Sequence, residues 1–160
     1  MASTACPLCD TDGGAVIWRD ARLRVVAPGE PDYPAFVRVI AQPHLAEMTD
    51  LPPADREHLM AVVLEVEQAM RDELAPAKIN LASFGNVVPH LHWHVIPRWP
   101  DDRHFPQPVW GAPAQGRDAQ VRSRNDWVLG RSAAFFAALA ARLRARFGAA
   151  APGSGAAAAG

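Results

Sequence analysis

The segment Pro89-His90-Leu91-His92-Trp93-His94-Val95-Ile96-Pro97 places three of the chain's six histidines at alternate positions. In an extended segment, side chains alternate between faces, so His90, His92 and His94 share one face. Leu91, Trp93 and Val95 share the other, which suits a core. Three imidazoles at this spacing are hard to explain as packing, and two chemistries suit them. Imidazoles at i and i+2 of a strand can converge on one metal ion. Alternatively, one neutral imidazole attacks phosphorus while its neighbours orient it. That attack gives a phosphoramidate, which water can then cleave.

A second constellation is Cys6-Pro7-Leu8-Cys9. CxxC spacing lets two thiolates chelate one zinc ion. It also occurs in redox-active or inert thiol pairs, but a thioredoxin-like pair needs a following helix in a βαβ setting. Here Asp10 to Gly14 reads as a turn. Zinc would need two further ligands, for which His44 and His90 are the candidates. Arg98 reads either as a phosphate partner or as a solvated strand-end residue. His58 reads as solvated, and His104, near Asp101 and Asp102, as a loop residue with a minor claim on substrate. Trp99 precedes the proline-rich loop 105–116 and Trp110 lies within it, where aromatic rings could stack on a base or seal a dimer contact.

These residues need elements to position them. Apolar residues at Leu59, Val62, Val63, Val66, Met70 and Leu74 make one stripe of a helix over about 52–74. Thr49 or Asp50 can cap it, and Pro76 lies just past its end. Phe135, Phe136, Leu139 and Leu143 mark a second helix over about 132–147, with Ser132 as N-cap. Strand-like runs fall at 15–18, 23–27, 36–42, 78–84 and 91–96. Strands, a helix, then more strands argue for an α+β fold with a mostly antiparallel sheet.

The 160-residue length favours one domain, here 1–147, followed by a Gly/Ala tail at 148–160 that reads as disordered. Sixteen basic against seventeen acidic side chains offer no electrostatic case for a nucleic-acid binder. No apolar run is long enough to span a membrane, and the start does not read as a secretory signal. A cytoplasmic protein is the expectation.

The stretch His90-Leu91-His92-Trp93-His94-Val95-Ile96 resembles the signature of the histidine triad family, His-φ-His-φ-His-φ-φ with φ apolar. The resemblance covers about 6–100, with 101–147 as a C-terminal extension. It takes in Pro34 to His44, Asn80, Gly85-Asn86-Val87-Val88, and the CxxC of the zinc-containing, diadenosine tetraphosphate hydrolase-like members.

The resemblance implies an antiparallel sheet of about five strands with one long helix and a C-terminal helix, in a homodimer. It implies a hydrolase or transferase that binds purine nucleotides and cleaves at the α-phosphorus of dinucleoside polyphosphates or nucleoside phosphoramidates. By its terms His92 is the nucleophile that becomes a nucleotidyl-imidazole, and His94 orients the site. His90 packs alongside and joins Cys6, Cys9 and His44 on a structural zinc. Asn86 stands where many members bond phosphate with Gln, and Asn80 and Arg98 join it as substrate-binding residues. Val87 stands where a leaving-group donor is common, Pro28 where a ribose-binding polar residue is common, and Pro34-Ala35-Phe36 replaces Pro-Gly-His. The missing donor leaves an alternative, a purine-nucleotide-binding regulatory protein with little turnover.

Overall fold

A computed structural model describes residues 6–148. A short helix, α1 (Pro7–Asp10), leads into β1 (Ala15–Arg19), β2 (Leu23–Ala27) and β3 (Val37–Ala41). The long helix α2 (Pro53–Leu74), β4 (Lys78–Ala82), β5 (His92–Arg98) and a second long helix, α3 (Asp118–Phe147), follow. The strands form one five-stranded sheet in the order β1-β2-β3-β5-β4. Every neighbouring pair is antiparallel, so the expected α+β architecture is the one observed.

Both long helices lie on one face of the sheet. Val25, Val37, Val39 and Val95 share a buried cluster with Leu59, Val62, Val66 and Met70 of α2 and with Val128, Phe135, Leu139 and Leu143 of α3. Burying each such side chain contributes about 1.5–3 kcal/mol, so the helices cover the apolar face predicted from strand alternation. The opposite face carries the histidines.

β2 spans the expected run, and the other strand bounds shift by one or two residues, most of all β5, which continues to Arg98. The expected cap of α2 is not used. Thr49 and Asp50 lie in a separate 3-10 turn (Met48–Asp50), and Pro52 occupies the N-cap without a side-chain bond. The larger correction is α3, which begins at Asp118 rather than Ser132. Gly130 interrupts the apolar pattern, yet Val121, Val128 and Phe135 are buried at seven-residue spacing on one side of the helix. Packing thereby outweighs the roughly 1 kcal/mol that an interior Gly costs. Ser132 is mid-helix, its hydroxyl donating to the carbonyl of Leu129 at 2.9 Å. Apart from Gly148, the expected tail lies outside the described residues. Among the described residues no helix is long and apolar enough to cross a membrane.

Candidate active site and metal cluster

His90 precedes β5 and is fully buried, while Leu91 beside it joins the core under the helices. The alternation predicted for the triad holds, and the histidine face is itself largely buried. His94 is 6% exposed and His92 is half-buried. Pairing sets His94 opposite Arg38 and His92 opposite Ile40 on β3.

The three imidazoles do not converge on one point. His90 turns Nδ1 towards the thiols, 3.4 Å from Cys6 Sγ and 3.5 Å from Cys9 Sγ. His44 Nδ1 is 3.3 Å from Cys9 Sγ. One ligand atom from each of Cys6, Cys9, His44 and His90 falls within 4.8 Å of the others. Sulfur and nitrogen ligands of a tetrahedral zinc stand about 3.6 Å apart, from bonds of about 2.3 and 2.05 Å. The donor set and its spacing therefore fit that ion. His90 Nε2 is 2.7 Å from the Ala41 carbonyl, which can only accept. This fixes the proton on Nε2 and leaves the Nδ1 lone pair for a metal.

Arg24 is a component that motif reading missed. Buried on β2, it donates from Nε to the Asp12 carbonyl at 2.9 Å and from NH1 to Gln42 Oε1 at 2.9 Å. It also bonds the Leu8 carbonyl, so it ties down the turn that carries both cysteines.

His92 and His94 border a pocket of about 360 Å³, completed by Phe84, Gly85, Asn86, Val87, Val88 and Trp110. His92 Nδ1 lies 2.6 Å from the carbonyl of His90 and must donate to it, which leaves Nε2 with its lone pair. Ser83 donates to the His92 carbonyl at 2.8 Å. Burial holds His92 below its ordinary pKa, and the charge of Arg38 adds to this, so the ring is neutral near pH 7. Burial, then His92 and Arg38, pushes His94 down to about 3. The left-handed φ of 81° at Gly85 turns the loop that presents Asn86. Trp110 is 53% exposed, with its ring 5.0 Å from that of His94 and 4.8 Å from Phe84.

Other residues singled out in the sequence lie elsewhere. Arg98 is 2% exposed rather than solvated and pairs with Asp102 at 2.7 Å. It also donates to Asn80 Oδ1 at 2.6 Å and to the Gln107 carbonyl at 2.8 Å. Its donors, and Asn80's oxygen, are thus committed to holding strands and loop together. His58 is not solvated but 2.7 Å from Asp20 and edge-on to Phe147. His104 Nδ1 is 2.8 Å from the Tyr33 hydroxyl. Trp99 is buried and meets Trp127 at 6.1 Å. Arg38 and Phe84 were not singled out. A charged residue inside the apolar run 36–40 was the available signal for Arg38.

Comparison with known proteins agrees with this fold. A 25% identical relative, named AP-4-A phosphorylase, from Mycobacterium tuberculosis aligns over 134 residues, 78% of this chain and 69% of its own length. A bis(5'-nucleosyl)-tetraphosphatase (asymmetrical) from Schizosaccharomyces pombe is 29% identical over 91 residues, 54% of this chain and half of its own. The crystal structure of a zinc-bound histidine triad family protein from Mycobacterium smegmatis shares the fold. Its TM-score is 0.56 at 23% identity, with 90% of this chain and 99% of that one covered. The HIT domain model matches residues 13–101, more than half of the sequence, and the chain belongs to the HIT family.

Proposed function

We propose that the protein cleaves dinucleoside polyphosphates at the α-phosphorus through a covalent nucleotidyl-His92. One observation carries the reading. A neutral imidazole borders a pocket with its Nδ1 proton committed to a carbonyl and its Nε2 lone pair free. The names of two relatives, a phosphorylase and a tetraphosphatase of bis-nucleosyl polyphosphates, support the substrate class.

In this mechanism Nε2 forms a bond to phosphorus as the bond to the bridging oxygen breaks. The electron pair leaves with the nucleoside polyphosphate. An acceptor oxygen then attacks phosphorus, the P–N bond breaks with its electron pair returning to Nε2, neutral His92 is restored, and where water is the acceptor its proton passes to solvent. The relatives differ in their named acceptor chemistry, so either water or inorganic phosphate can complete the cycle. Donors around the phosphate stabilise the charge that develops. Asn86, exposed at the pocket rim, can supply an amide donor. In the pose described, Asn80 and Arg98 act by fixing the strands beneath.

Val87 is 94% exposed and has no proton to give a leaving group. A polyphosphate leaves as a stable anion, whereas an amine needs a proton. The site therefore favours polyphosphates over phosphoramidates. The reading also includes a structural zinc on Cys6, Cys9, His44 and His90. When bound, zinc would clamp the N-terminal turn to the start of the triad strand. The zinc in the related Mycobacterium smegmatis protein supports this. A homodimer belongs to the same reading, since β4 ends the sheet with an outer edge that can pair.

The test is intact mass spectrometry after brief exposure to diadenosine tetraphosphate, with acceptor varied between water and phosphate. An adenylate adduct that maps to His92, absent in His92→Asn, is expected. Full turnover by His92→Asn would sink the reading. AMP binding without turnover would favour the regulatory alternative.

A further inference from the structure

A second cavity, of about 210 Å³, shares Trp110 with the triad pocket and is lined by Glu30, Asp32, Tyr33, Phe36, Arg38 and His104, among others. Arg38 joins it to the triad, because β3–β5 pairing puts Arg38 directly opposite His94. Its guanidinium gives one NH2 to Glu30 at 3.2 Å and lies 5.5 Å from the Phe36 ring centre. Its Nε is buried, and among the described residues no protein atom accepts from it. Among the described residues His94 Nδ1 is the other buried side-chain nitrogen without a partner.

Leaving a buried donor unsatisfied costs about 1–3 kcal/mol, more for a charged group. Arg38 Nε is such a donor on a charged group, and its place opposite His94 and beside a nucleophilic imidazole therefore points to a ligand acceptor. The other charges at the cavity do not supply it. Asp32 is paired with Arg103 at 3.4 Å, and Glu30 meets Arg38 through NH2 rather than Nε. The Tyr33 hydroxyl is engaged by Asp102 and His104.

We propose that Arg38 is a phosphate-binding residue of this enzyme, donating from Nε to an oxygen of the substrate's phosphate chain at the seam between the two cavities. This rests on the nucleotidyl-transfer reading and deepens it. Arg38 would bring a full positive charge to a site whose imidazoles are neutral. Glu30 competes for the same guanidinium and weakens its hold on the anion.

Calorimetric titration with AMP and with adenosine separates charge recognition from recognition of the nucleoside. Arg38→Met is expected to weaken AMP at least about tenfold and to leave adenosine unchanged. Arg38→Lys should recover part of the loss. Glu30→Gln, a change in a surface loop, should tighten AMP. Unchanged AMP affinity in Arg38→Met overturns the proposal, as does equal weakening of AMP and adenosine. Unchanged or weakened AMP binding in Glu30→Gln also counts against it. If the wild type forms no adduct and binds neither ligand, both readings fall. If Arg38→Met forms the His92 adduct at the wild-type rate with wild-type AMP affinity, only the role of Arg38 falls.

Discussion

At the upstream end of β5, His90 meets two thiols and a second imidazole around one point. At the downstream end, Arg98 meets the carboxylate of Asp102, the amide oxygen of Asn80 and the carbonyl of Gln107. Both ends fix the strand that carries His92 and His94, but their chemistry differs. The downstream end is complete within the chain. Asp102 accepts from Arg98, Tyr33 and the backbone of Trp99, His104 and Phe105. The upstream end gathers donor atoms whose lone pairs face one another, and their set and spacing fit an ion. A site can thus be held rigid by internal saturation at one end and by ligation at the other.

The largest effect follows from breaking the saturated end. Asp102→Ala leaves Arg98 charged, buried and without its ion pair. It should cost about 3–5 kcal/mol in chemical denaturation. Burial alone would raise the Asp102 carboxyl, but bonds from Arg98 and from the His104 and Phe105 backbone outweigh it and hold the group below its ordinary range. A loss below about 1 kcal/mol would mean that this end behaves like a surface pair.

Chelation addresses the other end. Removing zinc from protein saturated at a hundredfold over its dissociation constant should cost about 2.7 kcal/mol. Cys6→Ser should show no such response, while Asp102→Ala should keep it. Metal analysis of the purified protein gives the same contrast directly. A chelator response that persists in Cys6→Ser would place the metal elsewhere.

Between the two ends lies His94, whose environment gives a pH dependence. Its folded pKa, about 3, is below the value near 6.5 of an unfolded histidine. Over that interval the unfolded chain binds more protons than the folded one. The contribution of neutral His94 is therefore fully present above pH ~6.5 and is lost as pH falls towards ~3. One such group gives a slope of at most about 1.4 kcal/mol per pH unit. Denaturation midpoints between pH 6 and 4.5, about the range above carboxylate titration, should flatten in His94→Gln. An unchanged slope would show that His94 is not held neutral.

The two ends also differed in how far the sequence disclosed them. CxxC and alternating histidines are local spacings, so Cys6, Cys9, His90, His92 and His94 could be singled out without knowing what faced them. His44 followed as a missing ligand. Arg98 could not be read in this way, because Asn80 reaches it across the β4–β5 pairing and Gln107 from the following loop. The periodicity of α2 was legible because its stripe is uninterrupted. The first part of α3 was not, since Gly130 breaks the pattern and Val121 and Val128 are spaced for packing that only the fold supplies. Arg38 stood in plain view, but its meaning depends on the register with His94.

The smallest effect tests whether the ends act on each other. His90 and Arg98 are about 26 Å apart along extended chain, well beyond the range at which side chains couple directly. If each end anchors its own part of β5, the stability losses of Cys6→Ser and Asp102→Ala in zinc-saturated protein should add within about 0.3–0.5 kcal/mol. A double variant less stable than that sum would mean that either anchor can hold the strand while the other is loose. A double variant more stable than the sum would mean that losing one end already frees the other. In both cases β5 would be a cooperative unit, and the geometry around His92 would depend on both anchors. Additivity would confine the effect of each anchor to its own half of the strand.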